Sequence, residues 1–292
     1  MTGAREQYIH TNGVRLWTAK SGSGPPLLLC HGGPGLYDYL GPVAKLVDDV
    51  ATVYRYDQRG CGRSEAVPPY AVATFVEDME GLRRDWGLTR WVVGGHSWGA
   101  DLALAYALTH SDRVTGLVCI SGTGLITARL EHFERSRSAN LPTWEHRRLT
   151  ELEQLRKTAM GLELDSVRRE RARLLQRAEL HEPSSVHTPP SYDQLPMNHE
   201  INSMLNEDWE RFAFDPDLGA SVEALRVPAM VIRGEKDSRP EWALRALAER
   251  LPGGRFVSID RAGHDPWVER PDATRRAIRT FLEDLPPEGS GA

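Results

Sequence analysis

The chain has 292 residues, of which 40% are hydrophobic and 26% charged, with a net charge of -5 at pH 7. This composition is typical of a globular enzyme. The acidic balance argues against a nucleic-acid partner, because a phosphate backbone binds to a basic surface. There is no 18-residue apolar run, and residues 1–10 are polar, so we expect neither a membrane span nor a secretory signal. Three cysteines, an odd number, favour buried free thiols and a cytoplasmic protein.

The first 123 residues alternate between strand and helix patterns. Asn12-Gly13 predicts the turn of a hairpin that spans residues 8–20. Phe75, Met79, Leu82 and Trp86 recur at steps of four, three and four, which predicts a buried helix stripe. Short apolar runs predict strands at residues 27–30, 53–56, 91–93 and 114–120. Strands that alternate with helices indicate crossover connections and a parallel sheet.

The pattern changes at residue 124 and returns near residue 220. Residues 124–219 are helical and charged, with a predicted break at Gly161, a loop over 182–196, and five arginines between Arg168 and Arg177 that read as a solvated helix face. Strands at 229–233 and 256–259 and helices at 241–250 and 271–285 follow, and residues 286–292 are expected to fray. The sequence thus predicts an α/β core of residues 1–123 and 220–292, interrupted by a helical cap of residues 124–219. Ligands of open α/β sheets bind outside the carboxyl ends of the strands, so we expect the cap to roof the site.

The most informative motif is Gly95-His96-Ser97-Trp98-Gly99. It lies between an apolar strand pattern and a helical run of small residues, the context in which G-x-S-x-G forms a sharp turn with the serine at its apex. We therefore predict that Ser97 is a nucleophile. Adjacent residues in a tight turn point apart, so His96 is interpreted as a packing or supporting residue and not as the base.

A serine hydroxyl needs an adjacent base, which a carboxylate orients. In this kind of fold the chain order is Ser, then Asp or Glu, then His. His264 follows the last predicted strand on a loop and is the predicted base. Asp237 is the predicted acid. Glu235 follows its strand too closely to reach the histidine loop, and Asp260 is a weaker rival because it directly ends its strand.

The oxyanion of an acyl-transfer reaction needs backbone donors. One predicted donor is the N–H of Trp98, directly after the nucleophile. The other is assigned to Gly33, in the loop His31-Gly32-Gly33-Pro34-Gly35 that follows an early strand. The histidines lack metal-ligand spacing and the glycines lack the dinucleotide spacing, so we expect no cofactor and no metal.

Three motifs together resemble the α/β-hydrolase superfamily along nearly the whole chain, and within it the prolyl aminopeptidase (proline iminopeptidase) group. They are the loop at residues 31–35, the segment Tyr56-Asp57-Gln58-Arg59-Gly60-Cys61-Gly62-Arg63-Ser64, and Ser97-Trp98-Gly99 with the helix after it. The resemblance implies an α/β-hydrolase fold, a mostly parallel twisted sheet flanked by helices with an inserted helical cap. It also implies a serine hydrolase that releases an N-terminal residue, commonly proline, from a small peptide or aminoacyl amide.

Ser97, Asp237 and His264 match the triad positions of that group. Glu200 falls where the group places a cap carboxylate that holds the substrate's free amine, an ammonium that must be paired once it leaves water. His96 stands where the group commonly has glycine, Ala100-Asp101 replaces small hydroxyl residues, and the cap matches no pattern of the group.

Two other classes of function stay open at this point. One is a carboxylesterase, lactonase or amidase that acts on a specialised metabolite and does not recognise a free amine. The other is a binding protein with little turnover. Epoxide hydrolase and haloalkane dehalogenase chemistry is excluded, because both need a carboxylate where this chain has Ser97. The sequence leaves the oligomeric state open.

Overall fold

The computed structural model describes residues 4–124, 136–137, 140–182 and 197–286. Eight strands form one sheet in the order β1-β2-β4-β3-β5-β6-β7-β8. Strand β2 is antiparallel to β1 and β4, and every other neighbouring pair is parallel. The strands are β1 (Arg5–Thr11), β2 (Val14–Gly22), β3 (Pro26–Cys30), β4 (Thr52–Tyr56), β5 (Trp91–His96), β6 (Val114–Ile120), β7 (Ala229–Gly234) and β8 (Arg255–Ile259).

Helices cover both faces of the sheet. They are α1 (Gly41–Val47), α2 (Val72–Asp85), α3 (Trp98–Thr109), α4 (Thr143–Leu155), α5 (Gly161–Ala178), α6 (His199–Ala213), α7 (Leu218–Ala224), α8 (Glu241–Arg250), α9 (Pro266–Glu269) and α10 (Pro271–Glu283). Side chains of α2, α3 and α8 join one apolar core, and those of α1 and α10 join a second core on the opposite face. A sheet covered on both faces needs strands that are apolar throughout, which explains the short apolar runs of the sequence.

The predicted fold class is confirmed, and so are most of its local elements. The hairpin turns at Asn12 and Gly13, whose φ angles are 45° and 71°. Phe75, Met79 and Leu82 of the predicted stripe are fully buried on α2. The three cysteines, which the sequence favoured as buried free thiols, are all free and buried. Fraying was predicted for residues 286–292, and all of these but residue 286 lie outside the described residues, as does nearly all of the predicted loop.

Strand β5 is longer than the sequence pattern indicated, because it continues through Gly94 and Gly95 to His96. Glycine has a low strand propensity, so the prediction stopped at Val93. The structure gives the reason for Gly95. A Cβ at this position would collide with the carbonyl group of Gly99 at the start of α3. The strand and the helix after it approach so closely that only glycine fits.

Between β6 and β7 the described residues form helices α4 to α7. Helix α5 starts at Gly161, the predicted break, with a φ of 54°. Helices α4 and α5 share a small apolar cluster that includes Leu152 and Leu174. Arg177 of the arginine-rich helix forms an ion pair with Glu145 across the two helices. Among the described residues, no helix has the length and apolar character that crossing a membrane requires.

The strand order places two loops side by side at the carboxyl edge of the sheet. From β3 the chain proceeds to β4 on one side, and β5 lies on the other side of β3. The loops that follow β3 and β5 therefore leave a crevice between them, which is where open α/β sheets bind ligands. These loops carry residues 31–35 and Ser97. Strands β7 and β8 are parallel to β6 and end at the same edge, just before Asp237 and His264.

Candidate active site

Ser97 lies at the apex of a strained turn between β5 and α3. Its φ is 56° and its ψ is -129°. Such a backbone conformation costs a non-glycine residue about 1–3 kcal/mol and persists only where the surroundings impose it. The turn is imposed from both sides, because a Cβ at Gly95 or Gly99 would collide with neighbouring backbone carbonyl groups. Ser97 is half-buried although His96 and Trp98 on either side are buried, so the turn lifts the serine out of the core.

The loop after β3 packs directly against Ser97. A Cβ at Gly32 would lie 2.9 Å from the Cβ of Ser97. The N–H of Gly32 donates to the Tyr39 hydroxyl at 2.9 Å. The N–H of Gly33 has no acceptor among the described residues. Trp98 is the first residue of α3, where backbone N–H groups lack an acceptor within the helix. One of these N–H groups thus adjoins Ser97 in the chain, and the other belongs to the loop that packs against it.

The segment after β4 holds this loop in place. The Gln58 backbone N–H donates to Nε2 of His31 at 3.1 Å, and its side-chain amide donates to the His31 carbonyl at 2.7 Å. Burial lowers the pKa of His31, which keeps this imidazole a neutral acceptor. Asp57 accepts from the Asp38 backbone N–H at 2.6 Å and from Nε of Arg63, also at 2.6 Å. The Asp-Gln-Arg-Gly motif thus supports the loop beside Ser97.

Asp237 and His264 come together from the loops after β7 and β8. Oδ2 of Asp237 lies 3.2 Å from Nδ1 of His264. Asp237 is fully buried, and although burial opposes its ionisation, the nearby His264 and Arg239 charges and hydrogen bonds hold its pKa below the usual range. Glu235 and Asp260, the two alternatives, are exposed. Among the described residues Nε2 of His264 has no hydrogen-bond partner, so this nitrogen is available to a hydroxyl or a ligand.

His96 connects the loop that carries His264 to the loop beside Ser97. Its Nδ1 lies 2.7 Å from the Tyr39 hydroxyl, and its Nε2 lies 3.0 Å from the His264 carbonyl oxygen. Its ring centroid is 4.3 Å from that of His264. Burial, with the repulsion that a protonated His264 and Arg239 exert on a further positive charge, holds the pKa of His96 well below 6.5. The neutral ring accepts from Tyr39 at Nδ1 and donates from Nε2, so it acts as a support, as its place in the turn indicated.

Residues 179–182, which directly follow α5, cross the loops of Asp237 and His264. The Glu179 carbonyl oxygen accepts from the His264 backbone N–H at 2.7 Å. The Glu179 carboxylate accepts from Ser238 at 2.6 Å and from Arg239 at 2.7 Å. Atoms of Glu179, Asp237 and His264 that could bind a metal lie within 4.8 Å of one another. Arg239 already supplies a cation to both carboxylates, so the group is a charge network of the chain's own residues.

Helix α6 begins over the loop beside Ser97. The Asn198 backbone N–H donates to the Gly35 carbonyl at 2.8 Å, and the Asn202 side chain donates to the Pro34 carbonyl at 2.7 Å. Glu200 lies between these two contacts and is exposed. Burial and the negative charge of Glu200 together raise the pKa of Tyr70. Glu200 therefore lies next to the anchors of α6 on the loop of residues 31–35, and among the described residues no hydrogen bond or ion pair joins it to Ser97 or His264.

Sequence reasoning missed Tyr39, Glu179 and Arg239. Each acts through a long-range contact that no local pattern announces: Tyr39 bridges Gly32 and His96, and Glu179 reaches Arg239 across 60 residues of chain. Arg239 follows the predicted acid by two positions, and this proximity in the sequence was the one feature that could have indicated its role.

A profile of the alpha/beta hydrolase fold family matches residues 25–271. The chain therefore belongs to this family. A proline iminopeptidase of Saccharolobus solfataricus is 28% identical over 278 residues, which covers 90% of this chain and 86% of that protein. Relatives of this name confirm the resemblance drawn from the motifs.

The chain is also similar to a relative with a different name and to a solved structure. Epoxide hydrolase A of Mycobacterium tuberculosis is 27% identical over 326 residues, which covers 98% of this chain and 99% of that protein. The crystal structure of a proline iminopeptidase of Mycobacterium smegmatis superposes with a TM-score of 0.71 at 20% identity, over 96% of this chain and 98% of that one. At this identity the superposition shows a shared fold.

Proposed function

We propose that this chain is a serine hydrolase that releases an N-terminal residue, proline or another small amino acid, from a short peptide or aminoacyl amide. The observation that carries the proposal is the 3.2 Å contact between Asp237 and Nδ1 of His264, with Nε2 left available at the sheet edge where Ser97 is raised. His264 packs on His96, the residue before Ser97, and this contact supports the assignment of His264 as the base.

The proposed reaction passes through an acyl-enzyme. Nε2 of His264 takes the proton of the Ser97 hydroxyl as its oxygen attacks the substrate carbonyl, while the N–H groups of Gly33 and Trp98 donate to the oxyanion. His264 then gives the proton to the leaving amine, and the C–N bond breaks. Water attacks the ester in the same way and releases the amino acid. Asp237 holds the imidazole in the productive tautomer throughout.

The proposal includes residues 124–219 as a cap over this site. Helix α6 is anchored on the carbonyl groups of Pro34 and Gly35, and residues 179–182 contact both loops that carry Asp237 and His264. We assign Glu200 to the substrate ammonium, because it is an exposed carboxylate in the first turn of α6, beside the oxyanion loop. Its exposure leaves it accessible to a cationic ligand.

The relatives named proline iminopeptidase support the peptide-like substrate. The relative named epoxide hydrolase does not direct the proposal, because that chemistry needs a carboxylate at the position of Ser97.

A panel of Pro, Ala and Leu anilides, each with an N-acetylated control, tests the substrate class. We expect Ser97→Ala to abolish turnover and N-acetylation to lower kcat/KM strongly. Glu200→Gln should raise KM for the free-amine substrates about 10-fold and leave simple esters unaffected, since an ammonium–carboxylate pair is worth roughly 1–3 kcal/mol. Glu210→Gln is the matched control: it is another exposed carboxylate of α6, about 15 Å further along the helix.

If Glu200→Gln affects acetylated, ester and free-amine substrates alike, the amine-binding assignment is wrong, and an esterase, lactonase or amidase without free-amine recognition becomes the better description. If Ser97→Ala retains activity, the serine mechanism itself fails.

A further inference from the structure

An arginine stands unusually close to the proposed acid. Nη1 of Arg239 lies 3.4 Å from Oδ1 of Asp237, and the Arg239 backbone N–H donates to the same oxygen at 3.0 Å. Its side chain is only 14% exposed. A positive charge at this place opposes the chemistry proposed above, because the reaction transfers a proton to His264, and a nearby cation disfavours the imidazolium. Without a further anion, Asp237 would have to offset both the Arg239 guanidinium and the imidazolium of His264.

Glu179 offsets this charge. Its carboxylate lies 2.7 Å from Nη1 of Arg239, and its side chain is 12% exposed, so water screens the pair weakly. The same nitrogen thus lies between two carboxylates, one from Glu179 and one from Asp237. Burial opposes the ionisation of Arg239, but both carboxylates raise its pKa, so the guanidinium stays charged.

The position of Glu179 is fixed by its backbone as well as by its carboxylate. Its carbonyl oxygen accepts from the His264 N–H at 2.7 Å, and a Cβ at Gly263 would collide with this carbonyl. The next residues, His181 and Glu182, donate their N–H groups to Glu269 on the far side of the histidine loop. Glu179 is thus held against both loops of the acid–base pair by the segment that follows α5.

We propose that Glu179 is a positioning residue that acts through Arg239: it neutralises the guanidinium beside Asp237, so that this cation does not oppose transfer of the Ser97 proton to His264. This inference rests on the proposed function, since it takes His264 as the base. Among the described residues, the other charged or titratable groups around His264 are Asp237, His96, which is neutral, Asp265, which lies 3.5 Å from His96, and Glu269, which accepts from the Gly263 N–H at 2.7 Å. Within this described set Arg239 is the cation, so Glu179 controls the main unfavourable charge.

Loss of Glu179 and loss of Arg239 should shift the pH dependence of activity in opposite directions. Without the Glu179 carboxylate, less of the guanidinium charge is compensated, the imidazolium is disfavoured, and activity persists to lower pH. Without the guanidinium, both carboxylates favour the imidazolium, and activity is lost at higher pH. If Glu179 and Arg239 only packed the loops together, replacing them would lower stability and the maximal labelling rate. It would not shift the acid midpoint of the pH profile in opposite directions.

The test measures the rate at which a fluorophosphonate labels Ser97 between pH 4.5 and 8.5, and therefore needs no knowledge of the substrate. We expect Glu179→Gln to move the acid midpoint down by about 0.5–1 pH unit and to lower the plateau rate several-fold, and Arg239→Gln to move the midpoint up by a similar amount. Arg239→Lys keeps the charge and should restore the wild-type midpoint.

Glu182→Gln is the matched control, because it removes a carboxylate from the same segment, one that pairs with the exposed Arg261 instead. Its midpoint should stay within about 0.2 pH units of wild type, as expected for an exposed pair. An unchanged midpoint in Glu179→Gln, or shifts of the same sign in Glu179→Gln and Arg239→Gln, would overturn the inference. Labelling elsewhere than at Ser97 would instead refute the proposed function, so the two failures are distinguishable.

Discussion

The two halves of the candidate site are built in different ways. The half with Ser97 is assembled from short pieces of chain in the sheet core: a strand, a turn and a helix that are forced together where Gly95 and Gly99 lack side chains. The half with Asp237 and His264 depends on distant contacts, because residues 179–182 hold both of its loops from outside the sheet. Ser97 is thus positioned by local geometry, whereas Asp237 and His264 are positioned by residues 179–182, which come from a distant part of the chain.

The largest effect is expected from a substitution that disrupts the half with Ser97. Gly99→Ala places a methyl group against the carbonyl groups of Cys30 and His31, which are part of the sheet core. We expect a loss of several kcal/mol in the free energy of unfolding, or no folded protein, because rigid backbone cannot make room. Urea denaturation measures it. Gly87→Ala is the control: its φ is 67°, but nothing lies near the added methyl, so the cost should stay at about 1 kcal/mol. Equal losses in the two variants would contradict the account.

The next largest effect is expected when the half with Asp237 and His264 is disrupted and the half with Ser97 stays intact. Asp237→Asn keeps the shape of the side chain but removes its charge. Because Oδ1 accepts from the Arg239 N–H, the amide NH2 would replace the oxygen that contacts Nδ1 of His264. We expect kcat to fall by about 10³–10⁴-fold with little change in KM, because the imidazole loses its productive tautomer. Glu235→Gln, which changes the exposed carboxylate two positions earlier, is the control and should stay close to wild type. A small loss in Asp237→Asn would mean that another carboxylate orients the base.

A smaller effect tests the connection between the halves. Tyr39→Phe removes a hydroxyl that accepts from Gly32 and contacts His96, so it leaves two buried groups unpaired. We expect about 1–3 kcal/mol lower stability and roughly 10-fold lower kcat. Tyr8→Phe on the exposed hairpin is the control, since that side chain is 49% exposed. If stability falls and kcat does not, Tyr39 supports the fold alone.

The smallest effect concerns the pH dependence of stability. The pKa of His96 lies well below 6.5 in the folded chain, so the unfolded chain binds a proton that the folded chain does not. The free energy of unfolding therefore falls as pH drops below about 6.5, by about 1–2 kcal/mol between pH 7 and pH 5. His96→Gln should show a smaller loss over this interval in urea titrations. The exposed His146→Gln should show the wild-type loss, and a steeper loss in His96→Gln would contradict the assignment.

The contrast between the two halves also explains how far the sequence could be interpreted. The turn around Ser97, the Asn12-Gly13 hairpin and the stripe of α2 were predictable because the forces that shape them act within a few residues. The pairing of Asp237 with His264 was inferred from chain order, since parallel strands end at one edge. Glu179, Tyr39 and Arg239 were not predictable, because their partners lie 57 to 60 residues away or are set by the path of a loop. Only the folded chain brings such groups together.

The most direct test of the central claim is the rate and position of fluorophosphonate labelling in wild type and His264→Ala. The account predicts a single adduct on the peptide that contains Ser97, formed at least about 100-fold faster in wild type, because the base activates the hydroxyl. An adduct on another residue, or equal rates in the two proteins, would contradict it.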